Sequence, residues 1–244
     1  MELQLKEKPT LKDPILIAAW PGMGMLARMS ADVLIQKLGA KPFAEILTPS
    51  NDIYFKDAVG KINQYSHTFY YAHTDQKDLI ICVGEVQPQS LRDIQNLANK
   101  VLDVGIEFGV KRVYTFAAVP NPQDGKPHVF GVVNKPELKE FLKQKHVQLI
   151  IGEGRITGLN GLLIGIAQQR EIEGISLMCE IRYLDIPQPR SVQCVLDTLT
   201  KILGIKIDLS ELEKQADEME QKIEEIKVRS SPQENRQKEP RYIS

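Results

Sequence analysis

Very little in this chain of 244 residues points to the commoner chemistries. It has three cysteines, Cys82, Cys179 and Cys194, an odd number that never falls in a Cys-x-x-Cys spacing, which argues against a disulfide framework and a structural zinc site. Cys82, inside Leu79-Ile80-Ile81-Cys82-Val83, reads as a small core residue. The four histidines, His67, His73, His128 and His146, lie in separate elements without metal-ligand spacing, so no metal is expected. Charge of one sign is missing too: 31 basic against 32 acidic side chains offer neither a nucleic-acid stripe nor a polyacidic tail. Any partner must then be recognised by shape and local chemistry. No apolar run approaches a membrane span, and Met1 to Lys8 lacks the apolar core of a secretion signal, so a cytoplasmic protein is expected.

No Ser/Gly/Pro linker divides the chain. Short apolar runs alternate with stretches of helical period, which predicts an α/β fold: a single-domain mixed sheet covered by helices. The core domain spans residues 1–208. Strands are expected at Pro14 to Trp20, Phe43 to Leu47, Thr68 to Ala72, Asp78 to Val83, Arg112 to Ala118, Val129 to Val133, Gln148 to Ile151 and Ile175 to Ile181. Helices are expected after Gly24, from Leu91 to Phe108 behind the N-cap Ser90, after Pro136, from an N-cap at Asn160 to about Gln169, and from Val192 to Leu203. The proline-rich loop Val119 to Pro127 reads as an exposed excursion.

From Leu209 the pattern changes. Ser210 and Glu213 read as a capping box, and Leu209, Leu212, Ala216, Met219, Ile223 and Ile226 repeat at steps of three and four, an a/d seam over residues 209–228. Within it Leu212, Met219, Ile223 and Ile226 are the self-association candidates. Residues 229–244 hold no apolar side chain before Tyr242 that could offset ordering entropy, and read as a flexible tail ending in Tyr242-Ile243-Ser244.

Gly22-Met23-Gly24 follows a strand and opens a helix, the context of a dinucleotide-binding turn. The acid that should hold a ribose at the end of the next strand is absent: Glu45 falls inside that strand and Thr48-Pro49-Ser50 ends it. Gly22, Gly24, Gly158 and Gly161 are read as structural turn formers, and no cofactor is expected. Glu85, Glu153 and Glu180 stand near strand carboxyl ends, where α/β sheets place ligands, but no histidine, lysine or strained serine joins them. Turn capping, or pairing with Arg155 and Arg182, is the plainer reading, and no catalytic residue is assigned. Tyr65, Phe69, Tyr70 and Tyr71 read as a strand packed on a helix.

Four segments carry a resemblance: Trp20-Pro21-Gly22-Met23-Gly24, Gly84 to Ser90, Ile156 to Gly165, and Leu203-Gly204-Ile205-Lys206-Ile207-Asp208. In collinear order over residues 12–228 they resemble the proteasome assembly chaperone family of the second type, in its archaeal form. The resemblance implies an α/β fold similar to that of purine nucleoside phosphorylases, no catalysis, self-association into a homo-oligomer, and binding to proteasome α subunits or to the 20S-like particle. It also implies a C-terminal partner motif of a hydrophobic residue, tyrosine, then any residue. Here Tyr242 is third from the end, so Tyr242 would take the hydrophobic place and Ile243 the tyrosine place. The alternative is a nucleoside- or nucleotide-directed enzyme working at the strand-end crevice.

Overall fold

The computed structural model describes residues 1–230 apart from 57, 58 and 124, and describes no side chain at 50–56, 61–63, 224 and 226–230. Nine strands form one mixed sheet: β1 (Glu2–Leu5), β2 (Ile15–Ala19), β3 (Lys41–Lys56), β4 (Val59–Ala72), β5 (Leu79–Gly84), β6 (Arg112–Pro120), β7 (Val129–Val133), β8 (Gln148–Leu149) and β9 (Glu173–Ile181). Their order is β1-β3-β4-β5-β2-β6-β9-β7-β8. The centre, β5-β2-β6-β9, is parallel, and antiparallel strands flank it on both sides.

Continuous apolar runs make the central strands, because both faces are covered. Along β2 and the residue after it, Ile15, Ile17 and Ala19 enter one core and Leu16, Ala18 and Trp20 the other. The first core is closed by α1 (Leu26–Leu38), α3 (Glu137–Gln144), α5 (Pro189–Leu203) and α6 (Ser210–Ser230), the second by α2 (Leu91–Glu107) and α4 (Gly158–Gln169). Helix signals sit where the chemistry puts them. Ser90 Oγ accepts from Asp93 N–H at 3.0 Å, Gly39 and Gly204 close α1 and α5 in the left-handed conformation, and Pro189 opens α5.

Several elements differ from the sequence reading. β3 runs to Lys56 rather than Leu47, and with β4 forms a long hairpin. Pro42, Pro49 and Asn51-Asp52 argue against a strand there, but register shifts between Pro42 and Ala44 and between Pro49 and Ile53 absorb them. β1, not expected as a strand, is short and exposed: Leu3 and Leu5 alternate with Glu2 and Gln4, and four residues at a sheet edge are a weak signal. β8 stops at Leu149, leaving Ile151 97% exposed. Asn160 is not an N-cap but a buried residue inside α4, which starts at Gly158. At α6, the Asp208 carboxylate accepts from Ser210 N–H at 3.0 Å, so the capping group sits two residues before the expected one. Phe69 is fully buried, edge-on to Phe43, which also meets Phe108 at the end of α2.

Candidate functional site

Three of the four motif segments meet at the carboxyl ends of the central strands. Trp20, the residue after β2, is fully buried. Its backbone is held from both sides by one amide: Asn160 Oδ1 accepts from Trp20 N–H at 3.2 Å, and Asn160 Nδ2 donates to Trp20 O at 3.3 Å. A second amide repeats the arrangement. Gln87 Nε2 donates to Pro21 O at 2.6 Å, and Gln87 Oε1 accepts from Leu159 N–H at 2.7 Å, capping the start of α4 where Thr157 makes no side-chain cap. The Trp20 indole Nε1–H donates to His67 Nδ1 at 3.1 Å. Indole nitrogen can only donate, so His67 carries its proton on Nε2 and gives it to Thr48 Oγ1, 3.1 Å away, which donates onward to Tyr65 O. Burial holds His67 down to about 4, so the ring is neutral.

Close approach explains the glycines. A Cβ at Gly161 would stand 2.1 Å from Ile156 O, one at Gly158 2.5 Å from Gln87 Oε1, and one at Gly24 2.8 Å from Gln188 Cγ. Gly24 (φ +60) and Gly158 (φ +72) are also left-handed. Gly22 differs: its backbone is extended and a Cβ would meet nothing within 4 Å, so the turn does not require glycine there. Met25 adopts φ +53, a strained conformation for a non-glycine residue. Met23 and Met25 are exposed, Met23 lining the strand-end crevice, whereas Trp20 is withdrawn into the core. What remains is a pocket of about 220 Å³ whose sole charged lining residue among those described is Arg155.

The three strand-end carboxylates are not brought together as a reactive group. Glu85 caps no turn: its Oε2 accepts from Ser66 N–H at 2.9 Å and its N–H donates to Ser66 O at 3.1 Å, continuing the pairing of β4 with the end of β5. Glu153 is exposed on the loop before α4. Glu180 accepts from Asn121 Nδ2 at 2.9 Å and from His128, through its backbone N–H at 2.9 Å and ring Nδ1 at 2.8 Å. Its partner is therefore His128. Burial pushes the Glu180 carboxyl up, but the His128 and Asn121 hydrogen bonds outweigh it and hold the group below its ordinary value. His73 pairs with Asp78 at 3.1 Å, and His146 ends α3 in a left-handed turn. No group of three metal-binding side chains occurs among the described residues, nor is any described helix long and apolar enough to cross a membrane. All three cysteines are buried and their thiols pushed up by burial, the inert state.

The last helix closes a second cleft. Leu209 and Leu212 join the core of their own chain and Ala216 is buried beside them, so Leu212 is spent on intrachain packing. Arg190 at the start of α5 pairs with Asp217 and with Glu220 (3.1 Å), and these carboxylates, Glu220 foremost, raise its pKa. Lys37 reaches Glu211 at 3.2 Å. Met219 and Ile223 are half-buried and line a cleft of about 320 Å³, with the Asn121 to His128 loop and the residues after β9 opposite. The Ile226 side chain and Tyr242, Ile243 and Ser244 lie outside the described residues.

The site residues missed in the sequence reading are mostly amides. Gln87 and Asn160 stand inside the quoted motifs, but nothing local shows that their partners lie 66, 72 and 140 residues away. Arg190, clamping α6, had no signal beyond its charge.

Fold and junction define a mixed-sheet α/β scaffold whose strand ends are locked by the chain's own side chains. The chain belongs to the PAC2 family, whose model matches residues 16–227. It is 31% identical over 229 residues to an uncharacterised protein of Methanocaldococcus jannaschii, covering 92% of this chain and 87% of that one. Among solved structures it is similar to Pyrococcus furiosus PbaB, an archaeal proteasome activator: TM-score 0.82 and 32% identity, over 93% of this chain and 98% of that one. P. furiosus PbaA, an archaeal homolog of proteasome-assembly chaperone, shares the fold with TM-score 0.71 and 20% identity, over 92% and 95% of the two chains.

Proposed function

We propose that this protein is a non-enzymatic, homo-oligomeric chaperone-like or activator-like partner of the proteasome, of archaeal type and cytoplasmic, engaging α subunits partly through its C-terminal tail. The observation that carries the reading is the near full-length match to an archaeal proteasome activator at 32% identity. The crevice supports it from the other side. An enzyme of this sheet architecture needs free polar groups at the strand ends, and here Gln87 and Asn160 already bond Pro21, Leu159 and Trp20. Self-association draws on Met219, Ile223 and Ile226 more than on Leu212, which is already buried. Closed homo-oligomers multiply weak tail contacts by avidity.

Capture of the same organism's proteasome α subunits tests the proposal. The full chain should retain them, and deletion of Tyr242 to Ser244 should abolish most of that retention while sedimentation still shows a discrete oligomer. Retention unchanged by the deletion would move the partner site to the globular body. Saturable nucleotide binding lost in a folded Gly24→Val variant would instead support the enzyme reading.

A further inference from the structure

The sheet edge formed by β1 is self-complementary. β1 pairs with β3 on one side and is the last strand of the sheet on the other among the described residues. Edge strands are normally blunted by proline, a bulge or an inward-pointing charge. Glu2-Leu3-Gln4-Leu5 holds no proline, its register runs unbroken from Glu2–Leu47 to Leu5–Ala44, and its leucines are 41% and 47% exposed.

The ladder shows which groups this edge offers. Lys6 N–H donates to Phe43 O at 2.8 Å, which makes Gln4–Glu45 a hydrogen-bonded pair and Leu5–Ala44 a non-bonded one. The backbone N–H and C=O of Leu3 and Leu5 therefore turn outward, away from β3. Leu3 and Leu5 also stand beside Ile46 and Ala44, which are buried in the core under α2 and α4, so both leucines lie on that face of the sheet. Glu2, Gln4 and Lys6 lie on the other.

Outward from Gln4, Glu2-Leu3-Gln4-Leu5-Lys6 is its own antiparallel partner. About a two-fold axis at Gln4, Leu3 of each copy meets Leu5 of the other and exchanges both backbone hydrogen bonds with it. The leucines of both copies gather on the face of the second core, and on the opposite face Glu2 meets Lys6 at either end. An ammonium has donors to spare, so Lys6 keeps its 3.3 Å contact with Glu45 Oε2 while reaching a second carboxylate. A slip of one residue would turn the leucines of one copy to the wrong face, and a slip of two loses the charge pairs.

We infer that β1 docks on β1 of a second copy in this register, joining two sheets edge to edge across a two-fold axis. The inference rests on the proposed self-association and names a surface for it. So short a seam makes less contact than the roughly 1,000 Å² a stable dimer needs, and it holds in a closed assembly with Met219 and Ile223 of α6 as the second contact.

Cross-linking tests the register. Gln4 faces its own copy in a non-hydrogen-bonded pair, where Cα atoms approach to about 4.5 Å, within reach of a disulfide. Full-length Gln4→Cys, the native thiols being buried, should form disulfide-linked dimers under oxidised glutathione about tenfold faster than Glu140→Cys, an exposed control on α3. Added to Gln4→Cys, Glu2→Lys alone and Lys6→Glu alone should each slow the reaction several-fold, because like charges then meet at both ends. Mixing these two variants should restore it as a mixed dimer. Gln4→Cys no faster than the control, charge variants as fast as their parent, or a mixture no faster than its components would each overturn the inference. Sedimentation of the unsubstituted chain separates the two failures. A discrete oligomer without the cross-link removes the β1 seam and leaves self-association standing, whereas a monomer without the cross-link removes both.

Discussion

Acidification should reveal the buried relay behind Trp20. His67 is fully buried and neutral, with its pKa held at about 4 against an ordinary 6.5. In the unfolded chain the same ring takes up a proton near pH 6.5, so below that pH the unfolded state binds more protons than the folded one. Stability is therefore full above pH 6.5 and lost as pH falls toward 4. At roughly 1.4 kcal/mol per pH unit, the complete loss is about 3 kcal/mol, and between pH 7.5 and pH 5 it is about 2 kcal/mol. The chain contains one tryptophan, and it is the relay's donor, so its fluorescence reports unfolding from inside the affected site. Urea midpoints at the two pH values, at fixed protein concentration, should be compared in the wild type and in His67→Gln. The variant begins less stable, since Trp20 Nε1–H and Thr48 lose a well-placed partner, but its dependence on pH should be shallower by about 2 kcal/mol. Equal losses in both proteins over this interval would refute the buried, neutral assignment of His67 and attribute acid sensitivity to the carboxylates alone.

Three further outcomes follow from the junction and the clamp. Gln87→Leu leaves Pro21 O and Leu159 N–H without their partner and should cost about 2 kcal/mol in denaturant unfolding. Gly161→Ala drives a Cβ against the Ile156 carbonyl and should cost about 3 kcal/mol or prevent folding, while Gly22→Ala, in open space, should stay within about 0.5 kcal/mol; thermal midpoints decide, and equal shifts would contradict the contact geometry. Arg190→Ala releases Asp217 and Glu220 and should speed tryptic cleavage within α6 without moving the midpoint of the sheet; an unchanged cleavage rate would show that Leu209 and Leu212 alone hold the helix.

The parts of this fold legible in the sequence are those whose signal is local. Ile15 to Ala19, Leu79 to Val83 and the apolar face of α2 behind Ser90 announce themselves by period and cap, and the structure places them as read. Distal β3 was hidden because two prolines and Asn51-Asp52 argue for a break, and only the register shifts against β4 show how the ladder accommodates them. Asn160 misled for a related reason: asparagine before an apolar helix is a good cap by local rules, whereas here its amide is taken by a backbone 140 residues away. Whether the amides at the strand ends are free or used is likewise not written along the chain, because the backbone groups they bond come from distant segments.

The two-amide lock also bears on the order in which the chain folds. Gln87 bridges backbone groups 66 and 72 residues distant, and Asn160 spans 140, so neither can bond until β2, β5, α2 and α4 have been brought into register. The entropy of closing such loops is paid before either bond rewards it. With Thr157 supplying no side-chain cap, the first turn of α4 waits on Gln87 arriving from another part of the chain. Weakening the lock should then quicken unfolding far more than it slows folding, making it a latch on kinetic lifetime rather than a nucleus.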